Sequence, residues 1–212
     1  MKRVFMAVVL MLALFVGPLC RATALDLRFL ESVVVMTLPV PDAMGVGYLA
    51  RGCTASSIGE RQWVTAAHCV AGYTKLHYYI LGDEVSVVKY DEETDLARLS
   101  TEIASRPALA VATGPLAAGD AVIVAGFPLG WKSVDVALGY VGSYQNYEWE
   151  PGMFWPLMML NATGAPGFSG APVLNEAREL VAVVHIGFQR ETFSPKLGAT
   201  AAGVLKKFLT GE

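Results

Sequence analysis

The chain has 212 residues, 54% of them hydrophobic, and a formal charge of −3 from 16 Lys and Arg against 19 Asp and Glu. That length holds one large domain or two small ones, with ample material for a buried core. The mildly acidic balance gives no sign of the basic face that nucleic acid calls for, so no nucleic-acid partner is expected.

At the N-terminus, Lys2-Arg3 precede thirteen apolar residues, Val4 to Val16, and then Gly17-Pro18 and Ala22-Thr23-Ala24. A charged start, a short apolar run and a small-x-small site read as a secretory signal peptide, residues 1–24, cut after Ala24. The run is too short for a membrane span, so no membrane association is expected after cleavage; an uncleaved anchor is the competing reading. The protein is then secreted or periplasmic. Cleavage removes Lys2, Arg3 and Arg21 and takes the formal charge from −3 to −6. It also removes Cys20 and leaves Cys53 and Cys69. An even pair in an exported chain suggests a disulfide, which would stabilise by roughly 3 kcal/mol through the loop it closes. Two cysteines and three scattered histidines do not make a metal site, and no cofactor is expected.

Ser32 to Leu38 is a β-branched run stopped by Pro39 and Pro41, and Val46–Leu49 and Gly52–Thr54 read as short strands split by glycine. Gly59-Glu60-Arg61 reads as a turn and Gln62–Thr65 as the next strand. Leu76–Leu81, Glu84–Tyr90 and Ala97–Leu99 continue the pattern, which pauses between Ser105 and Pro115. Ala121 to Ala125 resumes it, Val134–Tyr144 reads as a hairpin, Trp149–Leu160 as core, and Leu180–Ile186 as a buried strand. Ala201–Leu209 reads as a short C-terminal helix. Many short strands at intervals of about 8–12 residues argue for an all-β barrel or sandwich.

Chemistry concentrates in three places. Gly167-Phe168-Ser169-Gly170 sets a serine between glycines, whose backbone freedom lets N–H groups converge on one point. Such a point can hold the oxyanion of an acyl-transfer intermediate. Thr65-Ala66-Ala67-His68-Cys69 offers a base, and Asp95-Leu96-Ala97-Arg98-Leu99 an acid to orient it. In the order His68, Asp95, Ser169, these motifs resemble the trypsin/chymotrypsin-like serine proteases, with intervals of 27 and 74 residues nearer the compact bacterial and viral members. The resemblance runs from about Val33 to the C-terminus.

The resemblance implies an all-β fold of two six-stranded antiparallel β-barrels with a short C-terminal helix. Residues 25–112 would carry His68 and Asp95, and residues 113–212 would carry Ser169. It implies a serine endopeptidase acting on protein or peptide substrates, with an oxyanion hole from the N–H groups of Gly167 and Ser169. It also implies a disulfide between Cys53 and Cys69, beside the histidine. A monomer is expected. One departure is Phe168, where many relatives have the aspartate that pairs with a freshly cut N-terminus. A zymogen switch of that kind is therefore not expected.

For the specificity pocket the resemblance points to Thr163, His185 and Gly187. Thr163 replaces the aspartate that selects Arg or Lys, so a basic P1 side chain is not expected. Val184-His185-Ile186-Gly187 is similar to a run in glutamyl endopeptidases, where the histidine meets a Glu or Gln side chain; a small apolar P1 is the other reading. The rival functions are an inactive homologue that binds proteins through a retained cleft, and an esterase or acyl transferase on the same triad.

Overall fold

The computed structural model describes residues 27–41, 48–71, 77–130, 132–187, 196–201 and 203–211. The leader read at residues 1–24 lies outside them. Among the described residues, twelve strands form two closed antiparallel barrels. The first contains β1 (Val33–Pro41), β2 (Tyr48–Gly59), β3 (Gln62–Ala66), β4 (Tyr79–Ile80), β5 (Asp83–Asp91) and β6 (Leu96–Thr101), in the order β1-β2-β3-β6-β5-β4. The second contains β7 (Ala121–Gly126), β8 (Asp135–Glu150), β9 (Met153–Asn161), β10 (Pro172–Leu174), β11 (Leu180–Gly187) and β12 (Leu197–Thr200), in the order β10-β11-β12-β9-β8-β7. A helix, α1 (Val204–Thr210), closes the chain.

Three apolar clusters hold this arrangement. Met36, Trp63, Ile80 and Leu99 fill the first barrel, where the Trp63 indole N–H is satisfied by Thr101 Oγ1 at 3.0 Å. Val122, Val124, Met158, Leu160 and Val184 fill the second. The third lies between the barrels and joins Val33, Val64 and Leu96 to Phe127, Leu180, Val183, Leu205 and Phe208. Alternation along β3 explains the division, since Trp63 faces its own barrel while Val64 faces the neighbour. Each such buried side chain contributes about 2 kcal/mol, so the seam is a core in its own right. The first barrel's motifs and the Ser169 loop meet along this seam.

Helix α1 buries Leu205 and Phe208, and Lys89 of β5 donates to the Phe208 carbonyl at 2.6 Å. The C-terminal end is thereby fastened back onto the first barrel.

Several elements differ from the sequence reading. β1 is not stopped at Leu38 but runs through Pro39 to Pro41, in register with β2. β2 is one 12-residue strand, because Gly52 pairs with Thr37 in the ladder and does not end it. β8 is one 16-residue strand where a hairpin was expected. Its Gly139 is there for space: a Cβ would sit 2.4 Å from the Asn161 carbonyl oxygen and 2.7 Å from the Ala162 Cβ. β12, four residues long, was not anticipated at all. The expected core segment is buried over Leu157–Leu160, but Phe154 near its start is exposed.

Candidate active site

β3 delivers Trp63 to Ala66 and ends in a single 3-10 turn, Ala67–Cys69, which carries His68. Asp95 precedes β6 in a turn shaped by Asp91, whose carboxylate accepts from the Glu93 N–H at 2.9 Å and the Thr94 hydroxyl at 2.7 Å. This is an Asx turn. It leaves Asp95 at φ 48°, a left-handed conformation that Asp tolerates better than most residues.

Asp95 is 1% exposed and spends its acceptors on one neighbour. Its Oδ1 accepts from the His68 backbone N–H at 2.8 Å, and its Oδ2 meets His68 Nδ1 at 2.8 Å. The Asp95 carbonyl accepts from the Ala67 N–H at 3.0 Å. The ring is thus oriented from both its backbone and its Nδ1, while the His68 side chain stays 40% exposed. A disulfide joins Cys69, next in sequence, to Cys53 of β2. The ligand atoms of Cys53, His68 and Cys69 lie within 4.8 Å of one another, but both sulfurs are bonded and neither is a thiolate.

The Ser169 loop is pinned peptide by peptide. The Pro166 carbonyl accepts from the Leu129 N–H, and the Phe168 carbonyl accepts from the Ala171 N–H at 2.8 Å. A trans peptide points its N–H opposite its carbonyl, so the N–H groups of Gly167 and Ser169 face the other way. Among the described residues, neither has a hydrogen-bond partner in the protein. Gly167 takes φ 102°, which an L side chain would resist. Gly170, at φ 83°, has no room for a Cβ, which would lie 2.0 Å from the Thr54 carbonyl oxygen and 2.2 Å from Thr65 Oγ1.

Thr54, fully buried on β2, is the residue that the sequence reading missed. Its hydroxyl donates to the Gly167 carbonyl at 2.8 Å and accepts from the Phe127 N–H at 3.0 Å. Its own N–H donates to the Ser169 carbonyl at 2.8 Å. One side chain of the first barrel therefore fixes the serine loop of the second. Thr54→Val keeps the shape and removes the hydroxyl, leaving the buried Phe127 N–H and the part-buried Gly167 carbonyl without it at a cost of about 1–3 kcal/mol. We expect kcat to fall by up to about a hundredfold through loop misplacement. Steady-state kinetics beside a denaturation curve check this.

Ser169 and His68 make no hydrogen bond with each other; the Ser169 hydroxyl approaches the His185 carbonyl at 3.5 Å. Phe168 is buried in the second barrel's core, so a phenyl ring fills the place where an aspartate would answer a new N-terminus. Residues appended ahead of Leu25, in a chain that starts there, are expected to leave kcat/KM unchanged, as assays of tagged and untagged protein would show.

The pocket residues separate. Thr163 and Gly187 are exposed, whereas His185 is 3% exposed. Its Nε2 lies 2.8 Å from Thr200 Oγ1, its Nδ1 lies 3.7 Å from Asp95 Oδ2, and the Trp155 ring meets it edge-on at 5.6 Å. β11 is buried from Leu180 to His185, and that burial encloses the ring. Burial pushes His185 down from 6.5 to about 4, with Asp95 opposing the shift and His68 reinforcing it. The unfolded chain therefore takes up a proton that the folded chain refuses. Stability is full above about pH 6.5 and falls as pH drops towards about 4, below which this group changes it no further. Denaturation midpoints measured across that window check the sign.

Residues 53–183, more than half of the chain, match the family model described as a trypsin-like peptidase domain. The chain belongs to the trypsin-like peptidases. The Rv3671c protease of M. tuberculosis in its active form is similar in structure, with a TM-score of 0.71 and 22% identity over 85% of this peptidase and 80% of that chain. The HtrA-type protease AlgW with tripeptide has a TM-score of 0.69 and 20% identity over 86% of this peptidase, which spans 59% of the AlgW chain. At these identities the likeness is one of fold. No curated protein sequence matches this peptidase.

Proposed function

We propose that this peptidase is a serine endopeptidase acting through His68, Asp95 and Ser169. The single observation carrying the proposal is the double grip of Asp95 on His68, at the backbone N–H and at Nδ1. A carboxylate at Nδ1 selects the tautomer whose Nε2 is a free base and stabilises the imidazolium that forms. In the reaction, Ser169 Oγ turns from the His185 carbonyl, gives its proton to His68 Nε2 and attacks the substrate carbonyl carbon. The tetrahedral oxyanion is taken by the N–H groups of Gly167 and Ser169, left open by the pinned carbonyls around them. The amine leaves with the proton from His68, and water then cleaves the acyl-enzyme by the same route.

The substrate is an extended protein or peptide segment. With His185 engaged by Thr200 and facing Asp95, the chemistry that pointed to Glu or Gln at P1 has no ring to act through. Thr163 and Gly187, both exposed, are our candidates for the pocket walls. Export to an oxidising compartment is the reading supported by the Cys53–Cys69 disulfide together with the apolar leader sequence. Incubation with an unfolded protein, beside a p-nitrophenyl ester, tests the activity. Internal peptide cleavage is expected. Turnover of the ester alone would support the esterase reading, and turnover of neither would support the binding homologue.

A further inference from the structure

His185 is the buried titratable group that the mechanism above leaves unused. Its backbone carbonyl faces the Ser169 hydroxyl, and its ring faces Asp95, so one residue of β11 touches the surroundings of both groups. Among the described residues its Nδ1 has no hydrogen-bond partner, although it is buried 3.7 Å from Asp95 Oδ2. A buried polar atom of this kind calls for an account.

Thr200 decides which nitrogen carries the proton. Its hydroxyl has one hydrogen and two acceptors in reach, His185 Nε2 at 2.8 Å and the Val183 carbonyl at 3.2 Å. Donation to Val183 would put the imidazole proton on Nε2 and leave the Nδ1 lone pair facing a buried carboxylate. Donation to Nε2 uses the shorter contact and turns Nδ1–H towards Asp95. In a site of low dielectric the carboxylate favours the second arrangement. The titratable groups that face the ring are Asp95 and His68, from the first barrel. Thr200 of β12 and Trp155 of β9 are uncharged.

We propose that His185, as the neutral Nδ1–H tautomer, is a positioning residue that holds the Asp95 carboxylate in place for His68. Trp155 completes the support: its ring packs on His185, and its indole N–H donates at 3.1 Å to the carbonyl of Glu92, in the turn that carries Asp95. The acid of the first barrel is thus braced by the barrel that bears Ser169. The inference rests on the triad reading, because positioning Asp95 matters only if Asp95 serves His68.

The test separates the two. In a Ser169→Ala background, which needs no turnover, imidazole nitrogen shifts from NMR read the His185 tautomer in the folded protein. They are expected to show a protonated Nδ1 and a bare Nε2; the reverse would overturn the proposal without any further variant. His185→Gln places its amide towards Thr200 and withdraws the donor from Asp95, whereas His185→Asn can put an amide N–H where Nδ1 was. Part of the carboxylate's charge is answered by Nδ1–H, so withdrawing it lets His68 hold its proton more tightly. The His68 titration midpoint is expected to rise by about half a unit in His185→Gln, the scale of one weak hydrogen bond, and to return in His185→Asn. In the chain with Ser169 intact, kcat is expected to fall roughly tenfold with KM little changed, again recovered by Asn. An unmoved or lowered midpoint, or no recovery by Asn, would leave His185 as packing alone. An inert parent chain with these NMR results would instead contradict the triad reading.

Discussion

Ser169→Ala is expected to lower kcat/KM by about six orders of magnitude, and His68→Ala by about as much. The double variant should be no worse than either alone, because nucleophile and base act as one unit and the second loss finds nothing left to remove. Neither substitution threatens the fold. The His68 side chain is partly exposed, and Ser169 contributes no apolar packing, with its loop fixed by the hydrogen bonds of Thr54 and Ala171. Turnover measured against circular dichroism and thermal melting separates lost chemistry from lost structure. Residual cleavage above the uncatalysed rate is expected from the open N–H groups of Gly167 and Ser169. Multiplicative losses would mean that the two residues act apart.

Asp95→Asn is expected to lower kcat/KM at neutral pH by about four orders of magnitude. The substitution is clean at the backbone, because Asn accepts the left-handed φ of 48° as readily as Asp. It changes the proton inventory. An amide N–H facing Nδ1 forces the imidazole proton onto Nε2, where it meets Ser169 and cannot act as a base. The amide oxygen keeps the His68 backbone N–H and the amide nitrogen takes the Nδ1 contact, so both contacts survive only with the inactive tautomer. A pH–rate profile beside the parent reads the effect. A loss below about tenfold would mean that Asp95 only shapes the turn.

What was legible in the sequence was local. His68, Asp95 and Ser169 each sit in a short run whose neighbours set the backbone, and the glycines at 167 and 170 take the positive φ that the Ser169 loop requires. The Cys53–Cys69 pair was legible once Cys20 was assigned to the leader, and the two-barrel fold through the resemblance carried by the three motifs. What was illegible depends on partners far along the chain. Thr54 grips Gly167 across 113 positions, and nothing in its own neighbourhood announces that contact. His185 was placed in the pocket because its flanking run suggested it. β11 is buried on both faces, however, so alternation gives no sign of which way a side chain points, and a register shift lies between Val184 and Ile186. β12 is four residues long and fully buried, too short for alternation to register as a strand. Val134–Tyr144 was read as a hairpin, whereas the glycines within it make room for the end of β9.

The central claim, that Ser169 is a nucleophile activated by His68, is tested most directly by fluorophosphonate labelling of the disulfide-bonded protein, with the adduct located by mass spectrometry. The account predicts one adduct, on Ser169, that disappears in both Ser169→Ala and His68→Ala. No adduct on the folded chain, or an adduct that survives the loss of His68, would contradict it.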